Sequence, residues 1–300
     1  MKHIGFFFLL FFAVSPIYAE EVNIKSTEKI PISQAVTLGI IQGITEFLPV
    51  SSTGHMIVAN ECFFHAREQS EAVRSALNNY LICINLGTLM TLLLFFRNDI
   101  RRILKGIFGQ DADGFKFGLK LGVAFVPAGI LGLLTDKTLE RFYTPTCVAT
   151  GLIFGGICIF LTERFRGTHA KRCGDIYDLP VVKAFFIGLL QTVALWPGFS
   201  RSLATIIGGV CIGLSLMQAL RFGFLLGFVT TALATTYKFL KHGDALRQAM
   251  DKSTAWIGIA VAFVVGISTI SFLFQFLKKN GLRIFGWYRL VFGIVIFCLS

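Results

Sequence analysis

Residues 39–55 of this chain read GIIQGITEFLPVSSTGH, and they place a carboxylate, hydroxyl groups and a histidine inside otherwise apolar sequence. Residues 188–202, which read GLLQTVALWPGFSRS, repeat the same outline 149 residues later: Gly-x-x-Gln, a proline and a run containing serine. Polar and charged groups are costly in apolar surroundings, so a repeated polar interruption indicates chemistry. The two stretches predict one site assembled from two related halves.

The composition is that of a membrane protein. Hydrophobic residues make up 54% of the 300 residues and charged residues only 15%, with a mean hydropathy of +0.71. Soluble domains carry about 25% charged residues. Glycine, which occurs 30 times, is more frequent in membrane helices than in soluble ones. The chain is therefore predicted to be an integral membrane protein with many spans, and soluble classes of protein are excluded.

The net charge of +11 has two interpretations. A strongly basic protein can bind nucleic acid, but here the cations lie in short loops between apolar segments, as the positive-inside rule describes. We therefore predict membrane lipids and no nucleic acid as partners, and we assign three basic loops to the cytoplasm. These loops contain Arg97, Arg101, Arg102, Lys105, Lys116 and Lys120, then Arg164, Arg166, Lys171, Arg172 and Lys183, and last Lys278, Lys279, Arg283 and Arg289. A fourth basic loop, with Lys238, Lys241, Arg247 and Lys252, makes the orientation less distinct.

Residues 1–30 have the pattern of a secretory signal peptide and a short lead-in. Lys2 and His3 precede an apolar core from Ile4 to Val14, and Ala19 fits the cleavage position. This core is shorter than a membrane span of about 20 residues, although an uncleaved anchor is the alternative. Residues 31–300 are treated as a single membrane-embedded domain.

Several apolar segments are broken. Those at 33–50, 182–196 and 203–214 are too short, or too interrupted by proline and glycine, to span a bilayer comfortably. Irregular backbone at membrane depth persists only where it is buried in protein or lines a watery cavity, and matching broken segments in two halves mark binding sites of inverted-repeat proteins. We therefore predict an all-α polytopic membrane protein with inverted repeats and broken or re-entrant helices. Its two diverged halves cover residues 33–162 and 182–300.

Glu46 is the first candidate for chemistry, because it lies among Ile44, Phe47 and Leu48. An ionisable group near mid-bilayer costs about 2.5–3.5 kcal/mol on insertion scales and usually faces a cavity or a partner. Gln42 lies four residues earlier and so shares a helical face with Glu46. The alternative is a glutamate that extends to the membrane surface from a helix end.

The run Ser51, Ser52 and Thr53 suits the N-cap of a helix that begins near Met56, which is its structural interpretation. A helix N-terminus also presents N–H groups and a positive dipole end that suit a phosphate. A serine beside a base can act as a nucleophile. His55 is either such an acid–base group or a structural, hydrogen-bonded residue.

Arg201 is the strongest single indication. It lies between Ser200 and Ser202 in apolar sequence, where it is not a solvated surface charge. Its planar guanidinium binds two phosphate oxygens at once, as lysine does not, and Thr205 adds a hydroxyl one helical turn later. The structural alternative is a buried ion pair between Arg201 and Glu46.

Together these groups suit hydrolysis of a phosphate ester or anhydride on a lipid. Glu46 has the hard oxygen ligands that a divalent cation prefers. A cation and Arg201 would then stabilise the charge that develops on a transferred phosphoryl group. The sequence leaves open whether Ser52 attacks phosphorus, or whether His55 or Glu46 activates a water.

In two long runs the chain resembles the undecaprenyl-diphosphate phosphatase (bacitracin-resistance) family. The first run extends from Gln42 to His55, and the second from Ala194 to Ser202 with Thr205 following. Weaker similarity occurs at Leu86–Thr88, Pro127–Ala128 and Tyr288–Arg289, so the resemblance covers the chain after residue 30.

The resemblance implies a multi-pass enzyme of the bacterial inner membrane with interlocking inverted repeats. It implies conversion of undecaprenyl diphosphate, a polyprenyl diphosphate lipid, to undecaprenyl phosphate and phosphate on the periplasmic side, with Mg²⁺ or Ca²⁺ as the divalent cation. This reaction recycles the lipid carrier of peptidoglycan synthesis and, in excess, confers bacitracin resistance. By motif position we expect Glu46, Ser52, His55 and Arg201 to be catalytic, Glu46 to bind the metal, and Gln42, Ser51, Thr53, Ser200, Ser202 and Thr205 to contact the substrate.

The chain departs from the family pattern at four positions. Gln42 occupies a position that is Glu or Gln in the family, so a cation would depend more heavily on Glu46. Leu203 replaces the usual glycine, which predicts a narrower turn. Arg221 and Val229 replace a glutamate and a proline of a later run, and the reversed charge predicts altered efficiency or substrate preference.

Two other functions share some of these features. The phosphatidic-acid phosphatase type 2 superfamily also has Ser-Gly-His and Ser-Arg motifs, but it needs a histidine and then an aspartate after the arginine. Here Ile206, Ile207 and Gly208 follow, so this interpretation fails. Broken helices in inverted repeats are also transporter architecture, so the alternative is a lipid-phosphate flippase or an anion transporter without hydrolysis. The oligomeric state is left open.

Overall fold

The structure is a computed structural model that describes residues 30–64, 71–169, 175–250 and 253–300. Within these ranges every regular secondary-structure element is a helix, which confirms the all-α prediction. The predicted signal peptide lies outside the described residues, so its cleavage stays a prediction.

The described residues form twelve α-helices and three short 3₁₀ helices. In chain order the α-helices are α1 (Ile32–Thr45), α2 (Ser52–Phe64), α3 (Glu71–Phe95), α4 (Arg97–Ile107), α5 (Ala112–Leu139), α6 (Pro145–His169), α7 (Val181–Gln191), α8 (Arg201–Cys211), α9 (Leu216–Lys241), α10 (Gly243–Met250), α11 (Ser253–Asn280) and α12 (Arg283–Leu299). The 3₁₀ helices are Glu140–Phe142, Ile176–Asp178 and Thr192–Leu195.

The two halves of the chain repeat one order of helices. Helices α1–α6 and α7–α12 each comprise two short helices around a break, a long helix, a short helix and two longer helices. The first helix of each half packs against the fifth helix of the other half, α1 against α11 and α7 against α5. The last helices of the two halves, α6 and α12, pack against each other. The halves therefore interlock and share one core.

Five helices in the described part of the chain are long and apolar enough to cross a bilayer, namely α3, α5, α6, α9 and α11. Helix α12 has 17 residues and so extends about 25 Å. Each half thus contains three long helices, and an odd number of crossings turns the second half upside down relative to the first. These helices confirm a polytopic membrane protein.

The α1–α2 and α7–α8 pairs enter the molecule from opposite sides. Helix α1 begins beside the start of α3, where the Tyr80 hydroxyl donates to the Ala35 carbonyl at 2.8 Å. Helix α3 leads to the other side, and there α7 begins, with the Lys183 ammonium donating to the Ile212 carbonyl after α8 at 3.0 Å. The two breaks meet inside, where Ser202 Oγ donates to the Leu48 carbonyl at 3.4 Å. This is the re-entrant geometry that the sequence predicts.

Two equivalent glycines permit the close packing of these pairs. A Cβ atom at Gly39 would come within 2.8 Å of the Gly258 carbonyl in α11, and a Cβ at Gly188 would overlap the Ala124 carbonyl in α5. A larger side chain would therefore separate α1 from α11 or α7 from α5. The glycine of each Gly-x-x-Gln sequence is a packing residue.

The reversed charge at Arg221 is balanced by a local partner. At the start of α9 its guanidinium donates to both carboxylate oxygens of Asp99 in α4, at 2.5 and 3.3 Å. The Tyr177 hydroxyl donates to the same carboxylate at 2.8 Å, and burial together with this carboxylate raises the pKa of Tyr177. The hydroxyl therefore stays protonated and keeps donating. These three residues form a cluster on the side of the molecule where α7 begins.

Two other departures lie in the core. Leu203 is completely buried, and its side chain packs in the main hydrophobic core. The narrower turn at this position stays a prediction. Val229 is partly buried against the same core, and nothing in the structure explains why it replaces proline.

Candidate active site

Each broken helix turns at a serine with unusual backbone geometry. Ser51 has a φ of 74° and Ser200 a φ of 80°, and no other non-glycine residue in the described ranges has a positive φ. The two serines are 149 residues apart, as are Gly39 and Gly188. Left-handed backbone is unfavourable outside glycine and persists where its surroundings enforce it, often at functional sites. The repeat thus has matching strained turns at its two breaks.

The side chains of these serines cap the helices that follow. Ser51 Oγ accepts from the Gly54 N–H at 3.3 Å, and Ser200 Oγ accepts from the Leu203 N–H at 3.4 Å. This is N-cap geometry, so the structural interpretation of Ser51 is confirmed. The positive dipole ends of α2 and α8 both lie at the breaks, where they favour an anion.

A cavity of about 1070 Å³ lies between the two breaks. The first break contributes Gln42, Glu46, Ser51, Ser52 and Thr53 to its lining, and the second contributes Ser200, Arg201 and Ser202. Eight of the ten predicted site residues therefore share one space. Asn85 of α3 and Thr231 of α9 also line it.

Glu46 and Arg201 form an ion pair across the two halves. Arg201 Nη2 contacts Glu46 Oε1, with side chains that are 25% and 11% exposed. The Ser52 hydroxyl donates to the other carboxylate oxygen, Oε2, at 2.6 Å. The ion pair that was the structural alternative for Arg201 is therefore present. Both of its members line the cavity, and Ser52 is hydrogen-bonded to the Glu46 carboxylate.

Helix α9 holds the other edge of the guanidinium. Arg201 Nη1 donates to the Gly227 carbonyl at 3.2 Å and also contacts the Thr231 hydroxyl. These bonds fix the plane of the guanidinium between the first break and α9. Thr231 gives no motif in the sequence, since a threonine in a long apolar helix has many structural uses.

Gln42 connects Glu46 to helix α3. Its amide nitrogen donates to Glu46 Oε2 at 3.2 Å and to Asn85 Oδ1 at 2.7 Å. Asn85 in turn donates to the Leu81 carbonyl at 3.1 Å. The predicted shared face of Gln42 and Glu46 is confirmed, and Asn85 is a site residue that the motifs did not reveal.

The serines of the second break bond within and between the breaks. Ser200 Oγ and Ser202 Oγ are 3.0 Å apart, and Ser202 Oγ lies within reach of the Leu48 carbonyl. Thr205 is 1% exposed and donates to the carbonyls of Arg201 and Ser202 at 3.2 and 3.1 Å. The structure therefore puts Thr205 inside α8, away from the cavity lining where its predicted substrate contact would be made.

His55 also lies behind the cavity. It is 1% exposed, with Nδ1 2.7 Å from the Ser51 carbonyl oxygen and Nε2 2.7 Å from the Tyr288 hydroxyl. Its ring stacks on Phe292 with centroids 4.6 Å apart. This environment favours the structural interpretation, in which His55 holds the left-handed turn at Ser51 from beneath.

Arg289 is the most important residue that the sequence interpretation misplaced. It was assigned to a basic loop, but it lies within α12 and is 0% exposed. Its guanidinium donates to five carbonyl oxygens at 2.8–3.2 Å, those of Pro49, Gly151, Leu152, Gly198 and Phe199. Two of these carbonyls lie one or two residues before Ser200, and one lies two residues before Ser51. The buried guanidinium of Arg289 therefore supports both turns. An arginine inside an apolar segment is the sequence feature that indicates such a buried role.

The residues present do not form a divalent-cation site by themselves. Glu46 is the one carboxylate among the described residues that line the cavity, and both of its oxygens already accept from other side chains. Within the described ranges, no three histidine, cysteine, aspartate or glutamate side chains are grouped so that they could hold a metal ion. A hard cation that takes six or more oxygen ligands would need most of them from a substrate, and it would compete with Arg201 for Glu46.

Fold and cavity together define a class: a polytopic membrane protein with a polar cavity between two re-entrant helix pairs. The family model described as bacitracin resistance protein BacA matches residues 35–295. The chain belongs to this family.

Relatives in the same family carry an enzyme name. The chain is 37% identical to the undecaprenyl-diphosphatase of Sorangium cellulosum (strain So ce56) over 268 residues, which is 88% of this chain and 85% of that protein. It is 35% identical to the undecaprenyl-diphosphatase of Enterococcus faecalis over 281 residues, 90% of this chain and 98% of that protein. It is 37% identical to the undecaprenyl-diphosphatase of Clostridium novyi (strain NT) over 279 residues, which is 90% of this chain and 96% of that protein.

Proposed function

We propose that this protein hydrolyses undecaprenyl diphosphate to undecaprenyl phosphate and inorganic phosphate. Relatives that match about nine tenths of the chain are named undecaprenyl-diphosphatase. The observation that carries the proposal is the hydrogen bond from Ser52 to Glu46, beside the Arg201 guanidinium, in a cavity at two helix N-termini. A nucleophile, a base and an anion-binding group are the parts that hydrolysis of an anhydride requires.

Arg201 binds the terminal phosphate in this mechanism. A diphosphate that enters the cavity competes with Glu46 for the guanidinium, because both are oxyanions and the phosphate carries more charge. Once the phosphate is bound, the Glu46 carboxylate is released from the ion pair. In the structure the Ser52 hydroxyl already donates to this carboxylate at 2.6 Å, so Glu46 can accept its proton.

Two routes lead from this arrangement to the products. In the first, Ser52 Oγ attacks the terminal phosphorus as Glu46 takes its proton, undecaprenyl phosphate leaves, and water then cleaves the phosphoserine. In the second, Glu46 activates a water that attacks the same phosphorus directly. In both routes the anhydride P–O bond breaks and Arg201 stabilises the charge on the phosphoryl oxygens. A phosphoserine trapped at Ser52 distinguishes the first route from the second.

We expect a divalent cation, Mg²⁺ or Ca²⁺, to be required, as the family resemblance implies. Glu46 would be its protein ligand, and the cation would supply positive charge that neutralises the phosphate. Because the cavity offers a single engaged carboxylate, no step above is assigned to the cation.

We place the protein in the inner membrane with the cavity open to the periplasm. The cavity lining includes Tyr143 and the end of α9. The basic residues predicted in loops lie at the opposite ends of the long helices, and the structure places them in helices: Arg97 at the start of α4, Lys183 at the start of α7 and Lys278 in the last turn of α11. Basic loops favour the cytoplasmic side, which supports a periplasmic mouth. There the reaction recycles the lipid carrier of peptidoglycan synthesis and raises resistance to bacitracin.

A carrier that moves a lipid phosphate or an anion without hydrolysis is the second candidate, because the interlocked inverted halves are also transporter architecture. The test is phosphate release by purified protein in detergent with undecaprenyl or farnesyl diphosphate and Mg²⁺ or Ca²⁺. We expect multiple turnovers of inorganic phosphate. Absence of release, with intact diphosphate recovered and transport in proteoliposomes, would favour the carrier.

A further inference from the structure

The outer half of α9 has two different faces. Leu233 and Leu240 are 47% and 82% exposed, as expected for residues that face lipid. Thr231 and Thr235 are buried and line the cavity. Residues three or four apart lie on one face of a helix, so the polar face continues outward from Thr235.

That polar face ends in two lysines and a histidine at the mouth of the cavity. Lys238, Lys241 and His242 are all exposed and all line the cavity. The Lys241 ammonium lies 5.5 Å from the centroid of the Tyr237 ring, a cation–π distance that restrains it near the mouth. The same cavity that contains Arg201 therefore has the lysines of α9 in its lining.

The balance of charge along the cavity favours an anion at this mouth. At the inner end Glu46 and Arg201 neutralise each other, and no other carboxylate belongs to the described residues of the lining. Among the described residues of the lining, the charged side chains at the outer end are therefore the two lysines. A cleft lined by one sign of charge concentrates ions of the other sign.

We propose that Lys238, Lys241 and His242 form a second anion-binding site, which holds a phosphate group at the mouth of the cavity. Thr231, which contacts Arg201, precedes Lys238 by seven residues, so this site lies about 10 Å outward from Arg201 along the helix. It binds the diphosphate of an arriving lipid before Arg201 does, and it binds inorganic phosphate on the way out. The proposal rests on the proposed function only for the identity of the arriving lipid.

A different use of these lysines makes a different prediction. Lysines at the end of a spanning helix often extend to the membrane surface and contact lipid headgroups. Lys278 and Lys279 occupy the same place in the last turn of α11, at the opposite side of the molecule, and they supply a matched control with the same change of charge. An effect common to both pairs would reflect general surface charge and would overturn the proposal.

The direct test uses inorganic phosphate as the probe and full-length protein in detergent at low salt. A background with both Glu46→Gln and Arg201→Gln removes the inner guanidinium without leaving an unbalanced carboxylate, so the further change in phosphate binding caused by the lysine substitutions reports the mouth. Adding Lys238→Gln and Lys241→Gln should weaken phosphate binding by roughly 25-fold, about fivefold for each lysine. Adding Lys278→Gln and Lys279→Gln should change it by less than about twofold, as for distant exposed charges. Equal affinities with and without the mouth lysines would contradict the proposal.

A kinetic measurement on the protein with Arg201 intact separates this site from the proposed function. Lys238→Gln with Lys241→Gln should raise the KM for the diphosphate and flatten the dependence of kcat/KM on salt, with kcat retained. If the unsubstituted protein hydrolyses no diphosphate but phosphate binding depends on the lysines, the proposed function fails and the site stands. If hydrolysis is normal and neither phosphate binding nor KM depends on the lysines, the site fails alone.

Discussion

Replacing Glu46 by glutamine should lower kcat and tighten ligand binding at the same time. The amide keeps the size of the side chain but does not accept the proton of Ser52 or of a water. Loss of a positioned general base typically lowers a rate by about 10²–10⁴, and we expect about 10³-fold here because Ser52 donates directly to this carboxylate at 2.6 Å.

The tighter binding follows from the ion pair. In the unsubstituted protein a phosphate must displace Glu46 from Arg201, a charge-assisted bond of about 1.5–3 kcal/mol. Because the two side chains are 11% and 25% exposed, we use the lower end, about 1.5 kcal/mol, which corresponds to slightly more than tenfold tighter binding. The substitution removes this competition, so a phosphate or a slowly hydrolysed diphosphate analogue should bind about tenfold more tightly.

The assay is phosphate release at varied diphosphate concentration, together with equilibrium binding of the analogue. Glu163→Gln is the matched control, since that carboxylate accepts from the Leu282 N–H at 2.8 Å on the opposite side of the molecule. Its kcat and ligand affinity should both be retained. A near-normal kcat in Glu46→Gln, or weaker binding of the analogue, would refute the reasoning.

Three further substitutions test other parts of the structure. Arg289→Met should lower kcat by at least about tenfold even in protein that retains its fold, because both left-handed turns lose their shared hydrogen-bond donor. Circular dichroism shows whether the variant is folded, and KM shows whether the site residues of the folded protein are still positioned to bind substrate. Arg221→Glu should destabilise the protein by at least about 1 kcal/mol by opposing two carboxylates, and adding Asp99→Arg should restore the melting temperature. Gln42→Glu should lower the concentration of Mg²⁺ or Ca²⁺ needed for half-maximal activity, because a second carboxylate would then lie beside Glu46. The same variant should bind the cation measurably in the absence of substrate. Cation titrations that match those of the unsubstituted protein would count against this.

Much of the fold follows from residues that break a pattern. Proline, serine and glycine at 197–202 interrupt an apolar segment, and such a break at membrane depth implies a cavity. The interlocking of the halves needed more than the sequence, because Gly39 and Gly188 look like flexible positions until the carbonyls of Gly258 and Ala124 are seen against them.

The composition of the site was predicted better than the direction of its side chains. Helical spacing correctly put Gln42 with Glu46. The ion pair of Arg201 with Glu46, which the sequence left as the structural alternative, is present. Spacing does not tell which face of a helix meets the cavity, so His55 and Thr205 were expected in a site from which they point away.

Arg289 shows a different limit. In sequence it follows Lys278, Lys279 and Arg283, so it is easily counted among loop cations. Its partners are backbone carbonyls from three separate segments. Every residue has a backbone carbonyl, so the sequence does not indicate which of them accept from Arg289. Residues that bind backbone are therefore revealed only when the fold brings that backbone together.

The central claim is that the two halves of the chain build one site, with Glu46 from the first and Arg201 from the second. A double-mutant cycle on kcat/KM for phosphate release tests it, using Glu46→Gln, Arg201→Gln and both together. Groups that act as one unit lose little more together than singly, so we predict that the double variant is within about tenfold of the slower single variant. Independent action would instead multiply the two single losses in kcat/KM, about 10² for Glu46→Gln (about 10³ in kcat, offset by about tenfold tighter binding) and about 10³ for Arg201→Gln, to about 10⁵-fold. That result would contradict the account.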